Sequence, residues 1–185
     1  ALSKRMGQTF VVENKPGAGT VVGTQAAGQS EPDGYTLVVG GLSNMAFNSA
    51  LYSKLAYDPR KDFVPVALIY KFGYVMVARK DLPYDKLADI VAAAKASPGS
   101  ISVATAGVGT GQHMCSELFA VSLKTKFVHV PFRGDAGAVT ALLGSNVDFI
   151  IAPGTAIFGQ IEAGKFRALA VSGAEVPDEL RGHDL

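Results

Sequence analysis

Apolar and polar positions along the chain fall into two alternating textures. Short Val-rich or aromatic runs bounded by turn residues read as strands: "TFVVEN" (9–14), "YTLVVG" (35–40), "YVMVAR" from Tyr74 and "SISVATAG" from Ser100. "FVHVPF" from Phe127, "VDFIIA" from Val147 and "FRALAVS" from Phe166 are of the same kind. Between them the apolar spacing lengthens to that of a helix. Val21, Val22, Ala26 and Ala27 follow Pro16-Gly17 and end at the turn Pro32-Asp33-Gly34. Leu87, Ile90, Val91 and Ala94 share one helical face that stops at Pro98-Gly99. Further helices are predicted from near Thr110, over "GAVTALLGSN" and over "TAIFGQIEAGK".

Strands that alternate with helices predict an α/β fold with mainly parallel sheets and helices on both faces. In such sheets ligands sit at the carboxyl ends of strands, where the strand order reverses. Glycine-rich stretches at 40–48, 106–111 and 152–155 all follow predicted strands. The exception to the alternation is "LIYKFGYVMV" (68–77), where two strand-like runs meet at Lys71-Phe72-Gly73 without a helix. That is how a chain crosses from one lobe to another.

Composition narrows the classes. The 185 residues are 48% hydrophobic, enough for one good core or two small ones, and too apolar for a disordered chain. A net charge of +1 with scattered Lys and Arg argues against a nucleic-acid partner. Cys115 is the only cysteine, so neither a disulfide framework nor a thiolate zinc cage is expected. No apolar run approaches the roughly 20 residues of a membrane span, and the opening "ALSKRMGQTF" lacks a secretory core.

The stretch "SVATAGVGTGQHMCSELF" (102–119) carries the most chemistry. A dinucleotide fingerprint requires glycine where Gln112 stands and an acidic residue after "FVHVPF"; a P-loop requires Gly-Lys-Ser/Thr where the chain has Gly111-Gln112-His113. Cys115 and Ser116 lie close to His113 in sequence, but such neighbours diverge on a helix, and Gly-x-Ser-x-Gly is absent. Cys115 reads as a small buried hydrophobe and His129 as a packed strand residue. His113 and Glu117, four apart, share a helix face without making a metal site. The remaining reading needs only backbone. Gly107, Gly109 and Gly111 admit close approach, and free amides around Thr110 to His113 attract a carboxylate at a helix start. Thr110 is at the same time a natural N-cap; Ser43 and Asn44, in "GGLSNMAFNSALY", and Thr155, in "APGTAIF", are each cap or ligand contact.

These residues, with "VVENKPGAGTVVGTQAAGQSEPDGYTLVVG", "NSALYSKLAYDPRKDFVPVAL", "VHVPFRGDAGAVTALLGSNVD" and "IEAGKFRALAVSG", match in order a known pattern. The chain resembles the Bug-family (TctC-like) solute-binding receptors of tripartite tricarboxylate transporters over roughly residues 1–173. The resemblance implies a non-enzymatic, periplasmic, type II periplasmic-binding-protein-like receptor with two hinged lobes and no cofactor or metal. It would capture a small carboxylate, whether a dicarboxylate, a tricarboxylate or an acidic amino acid, largely through backbone amides and ordered waters. It would then present itself to membrane permease subunits. The alternative is an extracytoplasmic sensing module read by a histidine kinase. Carried over by position, Ser43 and Asn44 serve from the first lobe, Gly107, Gly109, Thr110, Gly111 and His113 from the second, and Thr155 lines the cleft.

The chain departs from that pattern in places. Phe132-Arg133-Gly134 stands for the usual Tyr-Lys-Gly, and Ala152-Pro153 for a frequent Asp-Asn pair. By this resemblance the family's leading strand, with its Pro-Gly-Gly loop and signal peptide, and its C-terminal completion of the first lobe are expected to fall outside the 185 residues. The expectation is a receptor fragment: residues 1–71 an incomplete first lobe, 72–170 a nearly complete second lobe, 171–185 crossing back. "FVVEN" and "YTLVVG" would then lack the strand they share as a neighbour.

Overall fold

The computed structural model describes residues 2–182. Its elements are α1 (Leu2–Met6), α2 (Val21–Gly28), α3 (Asn48–Leu51), β1 (Tyr74–Arg79), α4 (Leu87–Ala96), β2 (Ser102–Thr105), α5 (Gly111–Leu123), β3 (Val128–Pro131), α6 (Asp135–Leu143), β4 (Phe149–Pro153), α7 (Gly154–Glu162) and β5 (Phe166–Val171). From β1 onward every predicted element is present.

Side chains that alternate along β1 enter two different cores. Val75 and Val77 join Ile150 and Ala168 beneath α6 and α7, with Ala138, Leu142, Ile157 and Ile161. Met76 and Ala78 join Val103, Phe149, Ile151 and Leu169 on the other face, against Ile90 and Ala94 of α4 and the half-buried Cys115 and Phe119 of α5. The result is a three-layer α/β/α sandwich, and the near-continuous burial of β1 and β4 follows from cover on both faces.

The sheet order is β3-β2-β4-β1-β5. β2 is parallel to β3 and β4, whereas β1 runs antiparallel to β4 and to β5. Four strands therefore share one direction, as expected of a mainly parallel sheet, and β1 opposes them. Neither neighbour of β1 follows it directly in the chain, since α4, β2, α5, β3 and α6 intervene before β4. The first residue of the reversed strand, Tyr74, consequently lies at the edge where the other strands end, paired with Pro153. There it exchanges hydrogen bonds with Ser172: the Ser172 amide donates to the Tyr74 carbonyl (2.8 Å), and the Tyr74 amide to Ser172 Oγ (2.8 Å).

Residues before Tyr74 contribute no strand to the described structure. "TFVVEN" and "YTLVVG", predicted as strands, run without ladder partners, as do residues 64–73. Their apolar residues face outward: Val12 is 83% exposed, Tyr35 92% and Val64 86%. The reason is that strand propensity is realised only against a neighbour, and none is within reach. The predicted first helix is present as α2, which begins at Val21 after a 3-10 turn (Ala18–Thr20) in which Gly19 has a positive φ (57°).

Candidate functional site

The helices α5, α6 and α7 begin where the parallel strands β2, β3 and β4 end, so their first turns line one edge of the sheet. From β2 the chain moves through α5 to β3 and returns through α6 to β4 on the other side of β2. The strand order thus reverses at the β2–β4 boundary, the position at which open α/β sheets bind ligands.

At this boundary the stretch 105–113 is heavily hydrogen-bonded to itself. Gly107 (φ 137°) and Gly109 (φ 80°) adopt conformations that side chains disfavour. Thr110 is the N-cap of α5: its hydroxyl donates to the Gly107 carbonyl (2.7 Å) and accepts from the His113 amide (3.4 Å). The capping alternative is therefore realised at Thr110. The Gly109 amide donates to His113 Nδ1 (3.2 Å), which leaves the hydrogen of a neutral imidazole on Nε2, 3.8 Å from Glu117 Oε1. The predicted His113–Glu117 face is thus present. The amides of Gly111 and Gln112, first in α5, make no hydrogen bond among the described residues, the Gly107 carbonyl being taken by Thr110.

Several neighbours of this loop were not singled out by sequence. The Tyr74 hydroxyl packs against the Cα of Gly111, where no side chain fits. Burial, together with Cys115 and Asp135, raises its pKa, so it is a neutral donor. Gln112, nearly buried, donates from Nε2 to Asp135 Oδ1 (2.5 Å), and burial raises the Asp135 carboxyl despite that bond. His129, read as a packed strand residue, is half-buried and shares a 2.6 Å hydrogen bond with Thr105 Oγ1, but its ring also stacks on His113. Cys115 is half-buried and its thiol pKa is raised by burial, consistent with a packing role.

The N-terminal segment closes over the same loop. "GGLSNMAF" is a wide helical turn (Ser43–Phe47) continuous with α3, where the sequence predicted a loop. Asn44, predicted as a ligand donor, is buried, and its amide is engaged internally: Nδ2 donates to Thr24 Oγ1 (3.0 Å) and the Val39 carbonyl (3.2 Å), and Oδ1 accepts from the Gly41 amide (2.8 Å). Ser43 is half-buried on that turn. Asn48 and Leu51 of α3 face Gly109, and Gly19 faces the Val108 carbonyl. Gly107, Gly109, Thr110, Gly111 and His113 thus gather at one place; Asn44 stands behind α3, and Thr155 is exposed in the first turn of α7. Pro153, and not Thr155, occupies the N-cap of α7, so the capping alternative fails there. A separate surface groove lies between the start of α4 (Leu87, Ala88) and β5 (Leu169–Val171). It lacks any such convergence of helix starts.

Known proteins share this arrangement. The family described as "Tripartite tricarboxylate transporter family receptor" matches residues 1–178. A curated relative from Agrobacterium vitis, the "UPF0065 protein in the TAR-I ttuE-ttuC' intergenic region", is 37% identical over 172 residues, 93% of this chain and 49% of its own length. The chain spans about half the length of such relatives. Among solved structures, "Structure of a periplasmic transporter" superposes with a TM-score of 0.90 at 34% identity, covering 98% of this chain and 61% of that one. "R. palustris Rpa4515 with adipate" gives 0.89 at 30% (94% and 58%), and "MatC (Rpa3494) from Rhodopseudomonas palustris with bound malate" gives 0.87 at 32% (94% and 59%).

Proposed function

The chain belongs to the tripartite tricarboxylate transporter receptor family, and from that premise we propose that it binds a small carboxylate at the head of α5, without turnover, for delivery to membrane permease subunits. The observation that carries this reading is the glycine loop 107–111 at the strand-order reversal, with the Gly111 and Gln112 amides leading α5 and Gly19, Asn48 and Leu51 packed against the loop. Amides at the positive end of a helix dipole suit a carboxylate. The similarity to structures that hold adipate and malate supports the same ligand class.

In this reading residues 1–71 belong to one lobe, residues 72–170 form the other, and residues 171–185 lead back to the first. Gly107, Gly109, Thr110, Gly111 and His113 shape the loop, with Thr110 acting as cap and His113 holding the Gly109 amide in place. Ser43 and Thr155 approach the ligand from either side, and Asn44 acts by fixing the turn beneath Asn48. The family and its structural neighbours are periplasmic binding proteins, which supports work in the periplasm. Calorimetric titration with C3 to C6 mono- and dicarboxylates tests the reading: saturable binding without conversion of the acid is expected. Absence of heat with every acid, or the appearance of product, would overturn it.

A further inference from the structure

Asn48, the first residue of α3, is fully buried, at 0% exposure. Its Nδ2 donates to the Gly19 carbonyl (3.1 Å) and to the Tyr57 hydroxyl (3.1 Å). Tyr57 gives its only hydroxyl hydrogen to the Asn44 carbonyl (2.8 Å), so towards Asn48 it can only accept. That fixes which end of the Asn48 amide is nitrogen. The other end, Oδ1, is buried and has no hydrogen-bond partner among the described residues.

Oδ1 is aimed at the glycine loop, 3.7 Å from the place a Cβ on Gly109 would occupy. Gly109 cannot supply the missing donor, because its amide points the other way, to His113 Nδ1. The loop is therefore flanked by unlike groups: an unpaired acceptor on the α3 side and unpaired amides at the start of α5. A bare carboxylate satisfies the amides and leaves Oδ1 unpaired, oxygen against oxygen. A molecule carrying a hydroxyl or ammonium beside its carboxylate satisfies both.

Resting on the carboxylate reading above, we infer that this site selects acids bearing a hydrogen-bond donor on the carbon next to the carboxylate, and that Asn48 Oδ1 is the acceptor for that donor. Sites built to hydrogen-bond a substrate hydroxyl discriminate against analogues that lack it, because the site's own polar group is then left buried and unpaired.

Matched acids test this by calorimetry on the chain: propionate against L-lactate, succinate against L-malate and L-aspartate, glutarate against 2-hydroxyglutarate. Within whichever set binds, the hydroxy or amino acid is expected to bind about tenfold more tightly than the unsubstituted acid. In Asn48→Ala, checked for its fold by circular dichroism, that ratio should shrink to within about twofold. Equal or tighter binding of the unsubstituted acid, or a ratio that survives in Asn48→Ala, overturns the inference and leaves the carboxylate reading standing. No binding by any of these acids overturns both. Should Asn48→Ala fail to fold, the ratios in the unmodified chain decide.

Discussion

His113 and His129 lie face to face, their ring centroids 4.1 Å apart and their planes 16° from parallel, although one belongs to α5 and the other to β3. Burial lowers the pKa of His129, the neighbouring His113 lowers it further, and Glu117 opposes both. A histidine whose folded pKa is depressed contributes stability that is complete above its unfolded value, about 6.5, and is lost as pH falls through the folded value. Thermal melts should therefore shift downward between pH 7 and pH 5. In His129→Gln, which can still bond Thr105, most of that shift should vanish. A variant that melts with the unaltered pH slope would rule out the stacked pair as the source.

The Tyr74 hydroxyl occupies the space a side chain on Gly111 would need. Gly111→Ala should cost about 1–3 kcal/mol of stability through overpacking. Combining it with Tyr74→Phe removes the hydroxyl and should restore part of the loss; the ring itself stays close, so recovery will be incomplete. Urea denaturation of the two single variants and the double variant closes the cycle, and additive losses would contradict the contact.

Thr110 caps α5 through the His113 amide while its hydroxyl holds the Gly107 carbonyl. Thr110→Val keeps the shape and removes both bonds, for an expected loss of about 1 kcal/mol. Thr110→Ser should be nearly neutral. The pair is read from denaturant midpoints, and carboxylate affinity should fall with the valine variant only, since only there does the first turn lose its anchor.

Gly109 has a φ of 80°, and its neighbour Leu51 Cδ1 lies at ordinary contact distance, 3.4 Å from the position of an added Cβ. Gly109→Ala is expected to destabilise by about 1–3 kcal/mol, mostly through the backbone. Trimming the neighbour with Leu51→Ala in the same chain should not rescue it. Full rescue in a thermal melt would place the cost in packing instead.

The elements from Tyr74 onward were legible because each carries its own period and its own punctuation: Pro98-Gly99 ends α4, and Thr110 opens α5. The direction of β1 was less so, for an apolar run reads the same both ways. "TFVVEN" and "YTLVVG" show the limit of such patterns, since local sequence sets what a backbone favours and not whether another strand is available to it. At the site the glycines and the Thr110 cap were visible. Asn44, read as cap or ligand contact, engages its amide internally, with a partner, Thr24, twenty residues away that the local pattern does not show. Asn48 and Tyr74 went unnoticed; Tyr74 opens the apolar run Val75–Ala78, which was a usable sign, whereas Asn48, between Phe47 and Ser49, offered none.

The uncovered stretches around Val12, Tyr35 and Val64 have a practical consequence. Extended chain with alternating apolar side chains and free peptide groups is a template onto which further strands add. The 185-residue chain taken by itself is expected to self-associate through these stretches as its concentration rises, which sedimentation over a dilution series would show as a falling apparent size. Affinities taken from concentrated samples would then mix self-association with the capture of ligand.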